Sequence, residues 1–173
     1  MENSVIDYFD TLEKYKHLKK AEVQSIPDEE LEDAVMSWMW SLFDGHWSNK
    51  YEAISALAKP CQNVYSCRTV IDEVNNGGLN QLFFNSTGQF AEMSIDGFSA
   101  INSPNLSGIM KKAVQLYRNN KVKLEKYSDG TSESFSDSYE EKIFDELDKA
   151  FFNECDSINI VSYIRSHSEY FGD

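Results

Sequence analysis

Cysteine, proline and glycine are all scarce in this chain of 173 residues, which holds 3, 3 and 8 of them. Cys61, Cys67 and Cys155 cannot all pair with one another, so free thiols in a reducing compartment are expected. Few prolines and glycines favour long continuous elements over a turn-rich all-β fold. Long apolar runs are missing too: the richest, from Ala34 to Phe43, contains serines and falls far short of the roughly 20 residues that cross a bilayer. The first 20 residues have neither a basic stretch nor a continuous apolar one, so no secretory signal and a cytoplasmic location are expected. Basic charge is outweighed, with 16 Lys and Arg against 29 Asp and Glu. A net charge of -13 argues against direct nucleic-acid binding, because phosphates must be neutralised by Lys and Arg.

The parts of most catalytic sites are missing as well. His17, His46 and His167 are far apart in sequence, and no HExxH, GxSxG, GxGxxG, Walker or CxxC pattern occurs. Cys61 and Cys67 would point about 240° apart on one helix, which suits small core residues better than a pair of metal ligands. His46, between Gly45 and Trp47, reads as part of a helix end. No metal, no cofactor and no enzymatic chemistry are expected; a pocket of carboxylates acting as acid and base is the remaining enzymatic alternative.

What the chain does have is apolar bulk. Hydrophobic residues make up 41% of it, with 3 Trp, 9 Tyr and 11 Phe, enough for one packed core. Spacing near 3.6 residues predicts helices over about 4–18, from Asp28 with Leu31, Ala34, Val35, Trp38, Met39 and Leu42 on the buried face, over 50–58, and over 64–74. Ser25 and Pro27 are expected to start the second of these, with Gly45 as its stop. Asn75-Asn76-Gly77-Gly78 predicts a firm helix stop, with the following LNQLFF as a turn or two of helix or a short strand. Further helices are expected from Asn85 to Ile101, with irregularity at Gly97, and from Pro104 to Tyr117. A polar loop follows in DGTSESFSDS, then one amphipathic helix started by Ser136 or Ser138 and running through Phe152. A last helix is expected over 157–167. The expected fold is all-α, a single compact domain of about seven to nine helices covering residues 1–173.

Charge is placed unevenly. Glu22, Asp28, Glu29, Glu30, Glu32 and Asp33 stand together without a basic residue, and Asp129 to Asp156 holds ten acids against Lys142 and Lys149. Lys111 to Lys126 is basic, with six cations against Glu125. On a continuous helix Asp137, Glu141, Asp145 and Asp148 fall within about 80° of one another, stepping by about 4.5 to 6 Å, close to phosphate spacing. Such a stripe can stand in for a phosphate strand, and as a plain solvated face it serves solubility.

Glu73, Asn76, Gly77, Gly78, Gln81, Phe83, Phe84, Asn85 and Gly88, followed by Ala91 and the helix from Pro104, form the least generic pattern in the chain. By themselves Asn76, Asn80, Gln81 and Asn85 predict a tied turn or the lining of a ligand pocket. With this pattern the chain resembles a family of small, mostly helical bacterial proteins long catalogued as a domain of unknown function. The likeness covers about 64–117, the family-like core, and departs at Leu79, where an aromatic is usual. The family includes a Neisseria protein that as a dimer resembles duplex DNA and occupies the DNA-binding surface of a transcriptional regulator. The resemblance therefore implies a helical DNA mimic, a basic DNA-binding partner of the helix-turn-helix kind, and a homodimer. The expected partner-facing residues are Asp28, Glu29, Glu32, Asp33, Asp137, Glu140, Glu141, Asp145 and Asp148. The alternative is an immunity protein that neutralises a basic toxin.

Overall fold

The structure, a computed structural model, describes residues 13–43, 49–129 and 131–173. Among these residues eight α-helices and four short 3-10 helices form, and no strand, so the chain is all-α as expected. Most of the helix expected over 4–18 and the helix end at Gly45 and His46 lie outside the described residues; 13–15 are helical. The chain divides into two compact units, one drawn from the chain up to Tyr65 together with Asn159–Asp173, the other from Ser66–Ile158.

The first unit is built on α1 (Asp28–Ser41), α2 (Lys50–Ser55), the start of α3 (Lys59–Phe84) and α8 (Ile160–Ser166). Pro27, not Ser25, occupies the N-cap of α1, and the Ser25 hydroxyl instead donates to the Glu22 carbonyl. Three acids in the first turn of α1, Asp28, Glu29 and Glu30, meet its free N–H groups favourably. Leu31, Ala34, Val35, Trp38 and Met39 are buried as their spacing predicts, but Leu42, at the C-cap just past Ser41, is 41% exposed. α1 packs on α8, whose Ile160 and Ile164 are buried and whose Asn159 side chain accepts from the Ser162 N–H. The Arg165 guanidinium then donates to the Val23 and Ile26 carbonyls and to the Asp28 carboxylate. Those two carbonyls lie just ahead of α1, so Arg165 pins the approach to that helix.

The second unit contains the rest of α3 with α4 (Ala91–Ala100), α5 (Pro104–Glu125), α6 (Ser132–Ser138) and α7 (Asp145–Cys155). α5 packs on both α4 and α7, and it buries Leu106, Ile109, Met110, Ala113 and Val114. Gly97 sits inside α4 without interrupting it, and a 3-10 turn over Ser86–Phe90 precedes that helix. α5 runs two turns past Tyr117, and the expected polar loop contains α6, started by the Thr131 hydroxyl accepting from the Ser134 N–H.

Of two further expectations, one holds and one is corrected. Asn75-Asn76-Gly77-Gly78 does stop a helix, as expected: Gly77 and Gly78 leave helical geometry, and α3 is two helical stretches joined at this kink, the second resuming at Leu79 as the expected turn or two of helix. The segment from Ser136 to Phe152 is not one helix. A 3-10 turn over Tyr139–Glu141 follows α6, Lys142 takes a left-handed conformation at φ 51°, and α7 starts anew at Asp145. The break has a packing cause. On a continuous helix Ser138 and Phe144 would point about 240° apart, yet both are buried, and Phe144 stacks on Phe83 with ring centroids 5.3 Å apart.

Candidate partner-binding surface

The acids near α1 are largely engaged within the first unit. The Glu30 carboxylate accepts from Lys14 Nζ at 2.9 Å and from the Tyr15 hydroxyl at 2.7 Å, which holds its carboxyl below the usual range. Glu22 accepts from the Lys19 N–H, and Asp28 accepts from Arg165. Glu32 and Asp33 are half-buried, leaving Asp28 and Glu29 as the exposed members of the expected partner-facing set in this unit.

In the second unit the expected stripe is dismantled by the turn at Lys142. Its four carboxylates do not lie on one helix face, so the phosphate spacing does not apply across them. Glu141 turns to the basic run of α5, where Lys123 and Lys126 pair with it and the Tyr127 hydroxyl donates at 2.7 Å. These donors, Lys123 first, hold its carboxyl down to about 2. Asp148 is drawn to the break in α3, where it accepts from the Leu79 N–H at 2.8 Å. Partial burial raises its carboxyl above the usual range despite that bond. Asp137, Glu140 and Asp145 are exposed.

The asparagine and glycine pattern is accounted for by the same region. Gly78 has φ 73° and ψ -175°, a conformation open almost only to glycine, and a Cβ there would meet the Asp148 carboxylate at 2.9 Å. On the near side of the break, Glu73 accepts from Gln81 at 3.3 Å, from Asn85 at 2.9 Å and from the Thr87 hydroxyl at 2.9 Å. Asn80 donates to the Ser138 hydroxyl at 2.6 Å, and the Tyr139 hydroxyl donates to the Gly77 carbonyl. The tied turn expected of these residues is thus present, at the joint between the two helical stretches of α3. Asn76 stands exposed.

A family model described as DMP19-like protein matches residues 55–167, more than half of the chain. The chain belongs to the DMP19-like family. This is the family to which the Neisseria DNA mimic gives its name, and the one that the pattern around Gly77 resembles. No curated protein and no solved structure matches the chain. Within this DMP19-like chain, Cys61 and Cys67 are buried free thiols, as core residues would be, and burial pushes the Cys61 thiol up to about 12. Among the described residues no group of three or more His, Cys, Asp or Glu is placed to hold a metal ion, and no helix is long and apolar enough to cross a membrane.

The residues that sequence reasoning missed are aromatic. Phe84 lies 4.5 Å from Phe135, ring centre to ring centre, and Phe135 lies 5.2 Å from Tyr139. Phe84 and Tyr139 are each more than a third exposed, giving this unit a surface row of rings beside Asp137 and Glu140. The four-residue spacing of Phe135 and Tyr139, with polar residues between, was the available signal.

Proposed function

We propose that this chain is a DNA mimic, a cytoplasmic protein whose carboxylates occupy the DNA-binding site of a basic DNA-binding protein, a helix-turn-helix transcriptional regulator by preference. The observation that carries the reading is membership of the DMP19-like family. Support comes from the net charge of -13 and from carboxylates that remain exposed after internal bonding: Asp28 and Glu29 in one unit, Asp137, Glu140 and Asp145 in the other. The action is competitive occupancy. The partner's Lys and Arg meet carboxylates in place of phosphates, no bond is made or broken, and no cofactor takes part. Asp28, Glu29, Asp137, Glu140 and Asp145 are the residues we assign to contact, with Glu32 and Asp33 at the margin; Glu141 and Asp148 act inside the fold.

Affinity capture from a native lysate, with and without added duplex DNA, tests this. A basic DNA-binding protein retained without DNA and displaced by it is the expected result. Titration calorimetry of the captured protein should then show affinity falling with salt, and falling further when Asp137, Glu140 and Asp145 become Asn or Gln. Simultaneous binding of DNA and this chain would overturn mimicry. Capture of a toxin with no affinity for DNA would replace it with the immunity reading.

A further inference from the structure

Beside the row of rings, α3 and α5 enclose a cleft of about 340 Å³, counting the open space at its mouth. Its walls are Phe83, Phe84, Tyr117 and Leu124, and its rim carries Lys121 and Glu125. The rings do not all serve the cleft equally. Phe83 and Tyr117 stack almost parallel with centroids 4.4 Å apart, and Phe83 also meets Phe144, so these rings are largely used against each other. Among the rings of the described residues Phe84 meets Phe135, and it keeps 37% of its surface open. The aromatic walls thus offer π surface, and the rim offers a carboxylate.

We propose that this cleft receives an arginine side chain of the basic partner, so that the surface recognises a cation through aromatic rings as well as through carboxylates. The inference rests on the reading of the partner as a basic protein. Three observations select this occupant. Exposed ring faces are the negative poles of the aromatic quadrupole and attract cations over anions. The rim pair is loose: Lys121 Nζ lies 3.9 Å from Glu125, both side chains are more than half exposed, and Lys121 can swing aside while Glu125 takes the guanidinium. The other lysines nearby do not compete, because Lys123 and Lys126 are held by Glu141. Asp137 and Glu140 are exposed and lie in sequence on either side of Ser138, which lines the cleft, and the whole molecule is negative. An arginine has an apolar stem for Leu124 and a planar head for Phe84 and Glu125, which neither a phosphate nor a plain aliphatic side chain combines.

The test uses blocked single residues as probes and needs no partner. N-acetyl-arginine amide, its citrulline counterpart, N-acetyl-leucine amide and N-acetyl-glutamate amide are titrated into the isotope-labelled full chain and followed by NMR. Arginine should shift the ring resonances of Phe84 and Tyr117 and bind about fivefold or more tightly than citrulline, which has the same shape without the charge. Glu125→Gln, an exposed change, and Phe84→Leu, which keeps apolar bulk without a π face, should each weaken arginine about threefold or more. Asp137→Asn with Glu140→Gln should preserve the preference for arginine over citrulline. Leucine or citrulline binding as well as arginine would overturn the proposal. So would glutamate binding more tightly than arginine, or arginine shifting resonances at Asp137 and Glu140 but not in the cleft. Failure here with a DNA-displaceable partner in hand removes the cleft and leaves mimicry intact. Arginine binding without any such partner leaves the cleft as a cation site and removes mimicry.

Discussion

Asp148 and Glu141 are acids of one segment put to opposite electrostatic use. Asp148 caps the first N–H after the helix break from a partly dry position, and that burial raises its carboxyl above the usual range, so its charge is less favoured in the fold than in the unfolded chain. Replacement by Asn keeps an oxygen for the Leu79 N–H and removes the charge, so Asp148→Asn should leave stability unchanged or slightly raised at pH 7. Asp148→Ala strands that N–H beside the fully buried Leu79 and should lower stability by about 1 to 3 kcal/mol in urea denaturation. Glu141 runs the other way. Its folded carboxyl lies well below its unfolded value, so its contribution is fully present above about pH 4.5 and is lost as pH falls toward 2. Thermal unfolding of Glu141→Gln should therefore fall below wild type at pH 6, with the difference closing by pH 2. Neither role was legible in the sequence. Asp148 and Leu79 are 69 residues apart, and a spacing rule confined to one helix saw only four carboxylates on a common face.

At the scale of the helix, the break in α3 and the regular start of α5 make opposite demands on glycine. At Gly78 a side chain would need a backbone conformation that L residues avoid and would press on the Asp148 carboxylate. Gly78→Ala should cost about 1 to 3 kcal/mol. Gly108, inside α5 with open space around its Cα, makes no such demand, so Gly108→Ala should stabilise by about 0.5 to 1 kcal/mol. Both shifts are readable as changes in the urea midpoint at constant slope. Helix faces were legible in part: Leu31, Ala34, Val35, Trp38 and Met39 of α1 are buried as their spacing predicts, but Met36 and Ser37 on its other sides are buried too. Helix ends were less so. α3 resumes after Gly78 because Asp148 and Glu73 tie the joint, and the chain turns at Lys142 because Phe144 stacks on Phe83; both causes lie on other elements.

For the whole molecule, the all-α class could be read from scarce glycine and proline and from repeated helical periods, and the family from nine residues around one joint. The surface that a partner would meet could not, because whether a carboxylate is exposed depends on which cation reaches it. Lys123 reaching Glu141, and Asp148 reaching the Leu79 N–H, are decided by tertiary packing. Mild oxidation or reduction should leave the melting temperature within a few degrees, since Cys61 and Cys67 are sealed inside; alkylation of the native protein should mark Cys155 first, followed by mass spectrometry. The route of the chain through its two units also bears on how it is made. Ser66–Ile158 is an unbroken stretch, whereas the unit around α1 waits for Asn159–Asp173. On a ribosome, the second unit has all its residues before the first does, and α1 emerges long before the guanidinium that pins its approach. Synthesis order and sequence order are therefore reversed for folding: the part begun first is the part completed last, and a nascent chain stalled before Arg165 would carry the buried face of α1 uncovered by α8.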